Sequence, residues 1–325
     1  MHPDTMRLID RWVGIPLCFF ASFWPLKKAQ ADSNSTLATN IPPPDTIVFI
    51  LIAEIGALVV AYPAIKETRK QHPKSRICFI TAPAGLQTLE LMGFEKEDIF
   101  LLETSSIKSL LKGIVNIRSH FKGKRVSAIV LEPFTRFSTL LSAWIGASKR
   151  IGCYRFLNEG VYLGNILTHR LVYNPHLHMS QTYFALAKAL IEPDSAKPLL
   201  KEYIPSQIKN RLKINIPEKE RQTLMKRLQS ECPENPLKKI ILLNANTSDI
   251  VPLRKWPLEN FVELGKQLLE NSEFTVVLTG SPEEKDVCVD LALQINPDRA
   301  VNFAGKTSFK ELITLYSISD LLITN

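Results

Sequence analysis

The sequence predicts an α/β protein built from two parallel-sheet domains. Short apolar runs of strand length alternate with helical patterns of about 10–15 residues, which is typical of a parallel sheet with crossover helices. This alternation occurs in two series, and the segment between them, residues 192–218, is rich in Pro, Lys and Glu. The length of 325 residues is too great for one ordinary core and sufficient for two domains.

The first series of elements begins with an uncharged apolar run after a polar, proline-ended stretch. Its predicted strands are Thr46–Ala53, Arg76–Thr81, Phe100–Leu102 and Ala128–Leu131. Its predicted helices are Leu58–Gln71, residues 107–121, Phe137–Ile145 and Met179–Leu190. The second series has a helix at Lys219–Ser230 and strands at Ile240–Leu243, Val276–Leu278 and Leu321–Thr324. We therefore divide the chain into an apolar and basic N-terminal segment (1–31), a linker (32–45), a first domain (46–191), a connection (192–218) and a second domain (219–325).

The N-terminal segment has a basic start and then an apolar run from Trp12 to Leu26. Gly and Pro interrupt this run, which is shorter than the roughly 20 residues of a transmembrane helix. Three interpretations stay open: an aromatic-rich segment in a membrane interface, an arm that packs on the core, and a cleaved signal peptide. The helix at 107–121 is a second candidate for membrane contact. Its charged residues are all basic, and no acid occurs from Ser105 to Arg125. That helix is either an ordinary solvated face or a face attracted to anionic lipid headgroups.

Charge and cysteine usage narrow the class of protein. The net charge of +8 permits an anionic partner such as a phosphorylated sugar or an anionic membrane. No nucleic-acid motif is present, so we expect no nucleic-acid partner. No G-x-G-x-x-G follows either first strand, which argues against a dehydrogenase. The five scattered cysteines form no C-x-x-C pair, which indicates neither a zinc site nor a disulfide framework and fits a cytoplasmic protein.

The loops after two strands of the second domain carry the chemistry of a nucleotide-sugar site. Asn244–Pro257 follows one strand and contains hydroxyls and a basic pair, and T-G-S-P-E-E follows the next. Ligands of open parallel sheets bind beyond the carboxyl ends of the strands. Hydroxyls and Arg254 or Lys255 suit phosphates, and Glu283 or Glu284 can accept hydrogen bonds from sugar hydroxyls.

With these residues identified, the chain resembles glycosyltransferase family 9, the lipopolysaccharide heptosyltransferases, from about Thr46 to Asn325. The C-terminal motifs are N-x-x-x-S, R-K-W-P, L-T-G-S-P-E-E, N-F-A-G-K-T-S and S-D-L-L-I-T-N. The N-terminal ones are G-A-L-V-V-A-Y-P-A, G-A-S-K-R-I-G and T-H-R-x-x-Y-x-P-x-x-H. Residues that usually follow in the family are absent after Asn325, which leads us to expect a second domain that is cut short and a chain whose own activity is doubtful.

The resemblance implies a GT-B fold, in which two Rossmann-like domains face each other across a cleft. It implies an inverting glycosyltransferase that needs no bound metal and no cofactor, with a nucleotide-sugar donor, typically ADP-heptose, and a glycolipid acceptor. It places the diphosphate at Thr247, Ser248, Arg254 and Lys255, the ribose at Glu283 or Glu284, and the adenine beside Lys306, Thr307 and Ser308. The implied location is the cytoplasm, peripheral to the inner face of the inner membrane.

The chain departs from the family at the expected base. The family usually has Gly-Asp where this chain has Gly56 and Ala57, and alanine cannot accept a proton. Glu54 is the only carboxylate in this turn and is the candidate base, with a capping or solvent-facing glutamate as the alternative. His178 is a weaker acceptor-side candidate, since a hydrogen-bonded structural histidine is more common. The alternative function is a catalytically silent homologue that binds nucleotide or glycolipid at the membrane.

Overall fold

The computed structural model describes residues 3–23, 43–52, 55–156, 161–192, 204–205, 208, 212–232, 237–246 and 255–325. Contacts between residues divide the chain into a first unit, Met1–Lys213, and a second unit, Ile214–Asn325. Each unit has its own parallel sheet and its own buried core.

The first unit contains a six-stranded parallel sheet. Its strands are β1 (Thr46–Ile50), β2 (Arg76–Thr81), β3 (Ile99–Leu101), β4 (Val126–Val130), β5 (Lys149–Phe156) and β6 (His169–Tyr173). Their spatial order is β3-β2-β1-β4-β5-β6, which is the Rossmann order. Every residue of β1 and β4 is buried, as expected for central strands covered on both faces. All six strands are parallel, but the order in which they are added reverses between β1 and β4. The ligand crevice of this unit is expected at this reversal point, beyond the carboxyl ends of the two strands.

Seven α-helices accompany this sheet in the described part of the first unit. They are α1 (Pro3–Trp12), α2 (Gly14–Phe23), α3 (Ile55–Gln71), α4 (Leu86–Leu91), α5 (Ile107–Phe121), α6 (Arg136–Trp144) and α7 (Met179–Lys188). Residues of α3, α4 and α7 share one buried cluster with alternate residues of the strands. Residues of α5 and α6 share a second cluster with the other set of strand residues. The sheet therefore lies between two helical layers, and α2 packs on α6 outside the second layer.

The second unit has a four-stranded parallel sheet. Its elements are α8 (Glu218–Glu231), β7 (Lys239–Asn244), α9 (Leu258–Leu269), β8 (Phe274–Leu278), α10 (Lys285–Ile295), β9 (Ala300–Asn302), α11 (Phe309–Ile318) and β10 (Leu321–Thr324). The spatial order is β10-β7-β8-β9. Helices α9 and α10 cover one face, and α8 and α11 cover the other. All four strands run in one direction, so the loops that follow them gather at one edge.

The N-terminal helices are held to the first unit by polar contacts as well as by packing. Asp10 forms an ion pair with Arg136 at 2.8 Å and accepts a hydrogen bond from the backbone N–H of Phe137 at 3.2 Å. Ser22 accepts a hydrogen bond from the N–H of Asn165 at 2.9 Å. Among the helices that the structure describes, none is both long enough and apolar enough to cross a bilayer. The described part of the N-terminal segment thus packs on the first unit.

All five cysteines are buried and carry free thiols. Burial raises the pKa of the Cys18 thiol to about 11. It raises the pKa values of Cys78 and Cys153 to about 12. These thiols are therefore protonated near neutral pH and protected from reagents in the folded chain.

Candidate functional site

Three loops of the second unit form one hydrogen-bonded surface at the carboxyl edge of its sheet. Asn246 follows β7, and its side-chain amide donates to the carbonyl of Thr279, which follows β8, at 3.2 Å. The N–H of Gly305, after β9, donates to the carbonyl of Gly280 at 3.0 Å. The loops are therefore fixed relative to one another, which gives a ligand an organised surface of backbone and side-chain groups.

Gly280 lies where these loops approach most closely. A Cβ atom at this position would lie 2.6 Å from the amide nitrogen of Asn246 and 3.0 Å from a carboxylate oxygen of Glu284. Any side chain here would push the loops apart. The glycine of the T-G-S-P-E-E motif is thus explained by crowding between the β7 and β8 loops.

The two glutamates of this motif have different environments. Glu284 completes a capping box, because its carboxylate accepts a hydrogen bond from the N–H of Ser281 at 2.6 Å. Glu283 is exposed, and hydrogen bonds from its own N–H and from the Ser281 hydroxyl hold the pKa of its carboxyl below its ordinary value. Glu283 is therefore ionised at neutral pH and accessible to a ligand, whereas Glu284 stabilises the turn.

The predicted adenine loop is tied to the body of the second unit. Lys306 forms an ion pair with Glu231 of α8 at 2.8 Å. Ser308 is the N-cap of α11 and accepts a hydrogen bond from the N–H of Glu311 at 3.2 Å. Thr307 lies between them and is half-buried. Lys306 and Ser308 thus have structural partners, and the loop is held in place at the carboxyl end of β9.

The basic pair of the R-K-W-P motif is only half described. Lys255 is exposed, and Thr247, Ser248 and Arg254 lie outside the described residues. The N–H of Trp256 donates to the side-chain oxygen of Asn325 at 2.9 Å, and the amide of Asn325 donates to the carbonyl of Ala245 at 2.8 Å. These contacts bring Lys255 to the same edge as the β7 loop. The Trp256 ring packs edge-on against Phe261, with 4.8 Å between ring centroids, and Pro257 is the N-cap of α9.

In the first unit, the loops after β1 and β4 meet at the reversal point of the sheet. Glu132, two residues beyond β4, accepts a hydrogen bond from the N–H of Ile52 at 2.8 Å and another from the hydroxyl of Ser138. Sequence reasoning did not select Glu132. The signal that would have found it is a carboxylate immediately after the apolar run Ala128–Leu131, since ligands bind beyond strand ends.

The loop after β4 makes a further contact at this edge, through Phe134. Phe134 has a φ of 62°, in the left-handed region that non-glycine residues rarely adopt. Its ring contacts Tyr173, at the end of β6, with 5.3 Å between ring centroids. Such backbone conformations concentrate at functional sites, where the surrounding structure supports them. The β4 loop therefore lies between the ends of β1 and β6.

The acceptor-side residues selected from the sequence have varied surroundings. Ala57 is buried in the core against β1, and Gly56 is exposed with open space where a Cβ would lie. His178 is the N-cap of α7, and its Nδ1 accepts a hydrogen bond from the N–H of Ser180 at 3.2 Å. Glu54 lies outside the described residues. The described residues hold no group of three or more His, Cys, Asp or Glu side chains arranged for a metal ion.

Comparison with known proteins gives one family and a consistent set of folds. The sequence profile described as glycosyltransferase family 9 (heptosyltransferase) matches residues 127–325, more than half of the chain. No curated protein matches by sequence.

Solved structures match the chain at low sequence identity. The ADP-heptose LPS heptosyltransferase II of E. coli is 18% identical over 86% of this chain and 78% of its own, with a TM-score of 0.62. A family 9 glycosyltransferase from Veillonella parvula is 19% identical over 87% of this chain and 75% of its own, with a TM-score of 0.65. The E. coli heptosyltransferase WaaC with ADP-2-deoxy-2-fluoro heptose is 13% identical over 86% and 82%, with a TM-score of 0.57. The predicted α/β class of GT-B type, with two Rossmann-like units, is confirmed.

Proposed function

The chain belongs to glycosyltransferase family 9, the heptosyltransferases, and from this premise we propose a specific reaction for it. It transfers a heptose or a related sugar from an ADP-sugar to a lipopolysaccharide-core or similar glycolipid acceptor. The transfer inverts the anomeric centre and involves no metal ion. The observation that carries this proposal is the hydrogen-bonded surface at the carboxyl edge of the second sheet, where Glu283 presents an exposed, ionised carboxylate.

We propose that different residues of this surface bind the ribose, the diphosphate and the adenine of the donor. Glu283 accepts hydrogen bonds from the ribose hydroxyls, while Glu284 keeps the turn in shape. The diphosphate lies against Thr247, Ser248, Arg254 and Lys255, whose hydroxyls and cations stabilise the charge that develops on the leaving group. Thr307, with Lys306 and Ser308 beside it, borders the adenine. A solved E. coli WaaC structure holds an ADP-heptose analogue, which supports an ADP-sugar as the donor class.

The acceptor hydroxyl is proposed to be activated by a carboxylate of the first unit. Glu54 takes the proton as the acceptor oxygen forms its bond to the anomeric carbon. The bond from that carbon to the diphosphate breaks, and ADP leaves with the electron pair. On the acceptor side, Gly56 leaves open space next to the buried Ala57, and His178 borders it. Glu132 positions the loop that precedes Glu54 through its hydrogen bond to Ile52.

The glycolipid acceptor is anchored in a bilayer, so we propose that the protein works peripherally at the cytoplasmic face of the inner membrane. The charge of +8 favours contact with anionic headgroups. Peripheral contact also agrees with the lack of a spanning helix among the described residues.

Glu54→Gln in the full-length gene product tests the chemistry. We expect loss of sugar transfer with unchanged ADP binding by calorimetry, because glutamine cannot accept the proton. Glu103→Gln is the matched control, since Glu103 is an exposed carboxylate in the loop after β3. Retained turnover in Glu54→Gln would exclude Glu54 as the base. Retained turnover of the wild type in EDTA is expected for a transfer without metal.

A second candidate function is a catalytically silent homologue that binds nucleotide or glycolipid. The observation that favours it is the buried Ala57 at the position where the family usually has aspartate. Calorimetric binding of ADP by the wild type, without transfer from any donor in a panel of nucleotide sugars, would establish this function in place of catalysis.

A further inference from the structure

The helix α2 has one face that packs on the first unit. Gly14, Cys18 and Ser22 are four residues apart and therefore share one side of the helix. A Cβ at Gly14 would lie 2.9 Å from the Cδ of Arg136, so α2 and α6 are in close contact there. Cys18 is buried, and the Ser22 hydroxyl accepts a hydrogen bond from the N–H of Asn165. This side of α2 is thus the attachment face.

The other side of α2 is apolar and exposed. Phe20 and Phe23 are 68% and 74% exposed, and Phe19 is 47% exposed. The Phe19 ring contacts both neighbours, with centroids 5.6 Å and 5.0 Å away. No charged residue occurs within Gly14–Phe23. We call these three residues the phenylalanine face, and an exposed aromatic cluster of this kind marks an interaction surface.

Helix α5 exposes a second apolar stripe. Ile107, Leu111 and Val115 recur at intervals of four and are between 56% and 59% exposed. Lys108 and Lys112 are exposed next to this stripe. No acid occurs between Ser105 and Arg125, so nothing on this helix would repel an anionic surface.

The two surfaces lie on the same side of the first unit's sheet. Ile117 and Phe121 of α5 and Leu141 and Ile145 of α6 belong to one buried cluster, so both helices cover the same sheet face. Helix α2 packs on the outside of α6. Trp144, at the end of α6, is half exposed, and the Arg118 guanidinium lies 5.2 Å from its ring centroid. Apolar and cationic groups therefore occur together on one side of this unit.

We propose that the phenylalanine face and the α5 stripe together rest on a bilayer that contains anionic lipid. The aromatic rings enter the boundary between headgroups and acyl chains, and Lys108 and Lys112 pair with the headgroups. Because α2 is fixed to α6, whose first residue follows the Glu132 loop, this contact holds the acceptor side of the first unit at the lipid surface. The inference rests on the membrane contact proposed above and assigns it to particular residues.

Vesicle flotation with the full-length protein tests this assignment. We expect the wild type to float with vesicles containing phosphatidylglycerol and to float weakly with phosphatidylcholine alone. Phe20→Ser with Phe23→Ser should weaken binding at least about tenfold, from the lost apolar burial. Lys108→Gln with Lys112→Gln should weaken it about fivefold per lysine, and only with anionic vesicles. Circular dichroism and thermal unfolding check that each variant folds, which is expected because all four side chains are exposed.

Matched variants elsewhere in the protein distinguish binding through this surface from nonspecific binding to vesicles. Leu293→Ser removes a side chain of α10 that is 60% exposed. Lys226→Gln with Lys266→Gln removes two exposed lysines of the second unit. Both controls should float like the wild type.

Equal loss in the controls, or unchanged binding of the phenylalanine variant, would overturn the assignment. The assignment would also be overturned if the wild type dimerises through the phenylalanine face in sedimentation and does not bind vesicles. The partner of this face would then be a second copy of the chain. Transfer to a water-soluble, deacylated acceptor separates this result from the reaction itself: the phenylalanine variant should retain that transfer, while Glu54→Gln should lose it.

Discussion

The carboxylate of Glu132 and the backbone N–H of Ile52 are 2.8 Å apart, which ties the loop after β4 to the loop after β1. Ser138 donates its hydroxyl to the other carboxylate oxygen, so the loop is held from the helix side as well. These two loops border the reversal point of the first sheet, and the β1 loop leads directly to Glu54. Ile52, the last described residue before the proposed base, is therefore held by a residue that is 80 positions away in sequence.

Glu132→Gln should lower both stability and sugar transfer. Glutamine retains one acceptor oxygen and replaces the other with an amide donor, so one of the two hydrogen bonds is lost. A hydrogen bond to a charged group contributes about 1.5–3 kcal/mol, and we expect a loss of this order in the free energy of unfolding. Ser138→Ala removes only the hydroxyl donor and should have a smaller effect. Urea unfolding and kcat/KM measure the two effects, and wild-type values in Glu132→Gln would contradict the role of this contact.

Glu283 and Glu284 should separate into a binding residue and a structural residue. Glu283→Ala should weaken ADP binding about tenfold, the equivalent of one charge-assisted hydrogen bond, with an unchanged melting temperature. Glu284→Ala should cost about 1 kcal/mol of stability through the lost capping box. Calorimetric titration with ADP and thermal unfolding give the two readouts. The reverse pattern would show that Glu284 is the ligand contact.

Gly164→Ala should loosen helix α2. A Cβ at Gly164 would lie 2.6 Å from the carbonyl oxygen of Cys18, and the φ of 58° also disfavours alanine. Displacement of α2 should expose the Cys18 thiol, whose pKa burial raises to about 11. We expect faster reaction of one thiol with DTNB under native conditions. Gly123→Ala is the matched control, because Gly123 has a φ of 83° with no atom near the added Cβ. Equal thiol reactivity in both variants would argue against this packing.

His72 should make the folded state sensitive to mild acid. Burial, together with the nearby Lys149, lowers the pKa of His72 below its ordinary value of 6.5. The unfolded chain then binds a proton at higher pH than the folded chain does. The free energy of unfolding should therefore decrease as pH falls below 6.5, until the lower folded pKa is passed.

Denaturant titrations across this pH range, with His72→Gln as the test variant, measure the effect. The variant should show a shallower decline with falling pH, because its side chain does not titrate. His176→Gln, which removes an exposed imidazole after β6, should keep the wild-type slope. An unchanged slope in His72→Gln would assign the acid sensitivity to other groups.

The sequence predicted strands that consist of short uninterrupted apolar runs, whether the strand is mainly buried, as β2 is, or mainly exposed, as β10 is. Arg76–Thr81 and Leu321–Thr324 were predicted with the bounds that the structure has, because uninterrupted apolar runs are a local signal. The strands β5 and β6 were missed. They include Lys149, Arg150 and His169, which are buried but hydrogen-bonded to carbonyls of Leu190, Ile166 and Glu192. Those partners lie far along the chain, so no local pattern indicates a strand.

The candidate site also has features that the local sequence shows and features that depend on contacts between distant segments. The motif around Gly280 is visible in the sequence, but its cause is the approach of Asn246 from another loop. Glu132 matters because β1 and β4 are neighbours, and strand order is not a property of either segment alone. The roles of Glu54, Thr247, Ser248 and Arg254 remain predictions.

The central position of β1 has a consequence for how this protein is made. Thr46 pairs with Val126, so the middle of the first sheet joins segments eighty residues apart. On the ribosome, β1 and β2 emerge early, and the apolar edge of β1 stays uncovered until β4 has been synthesised. Delayed pairing of this kind slows folding and exposes an aggregation-prone strand. Synthesis in cells should therefore benefit from chaperones that bind nascent apolar segments until β4 has been synthesised.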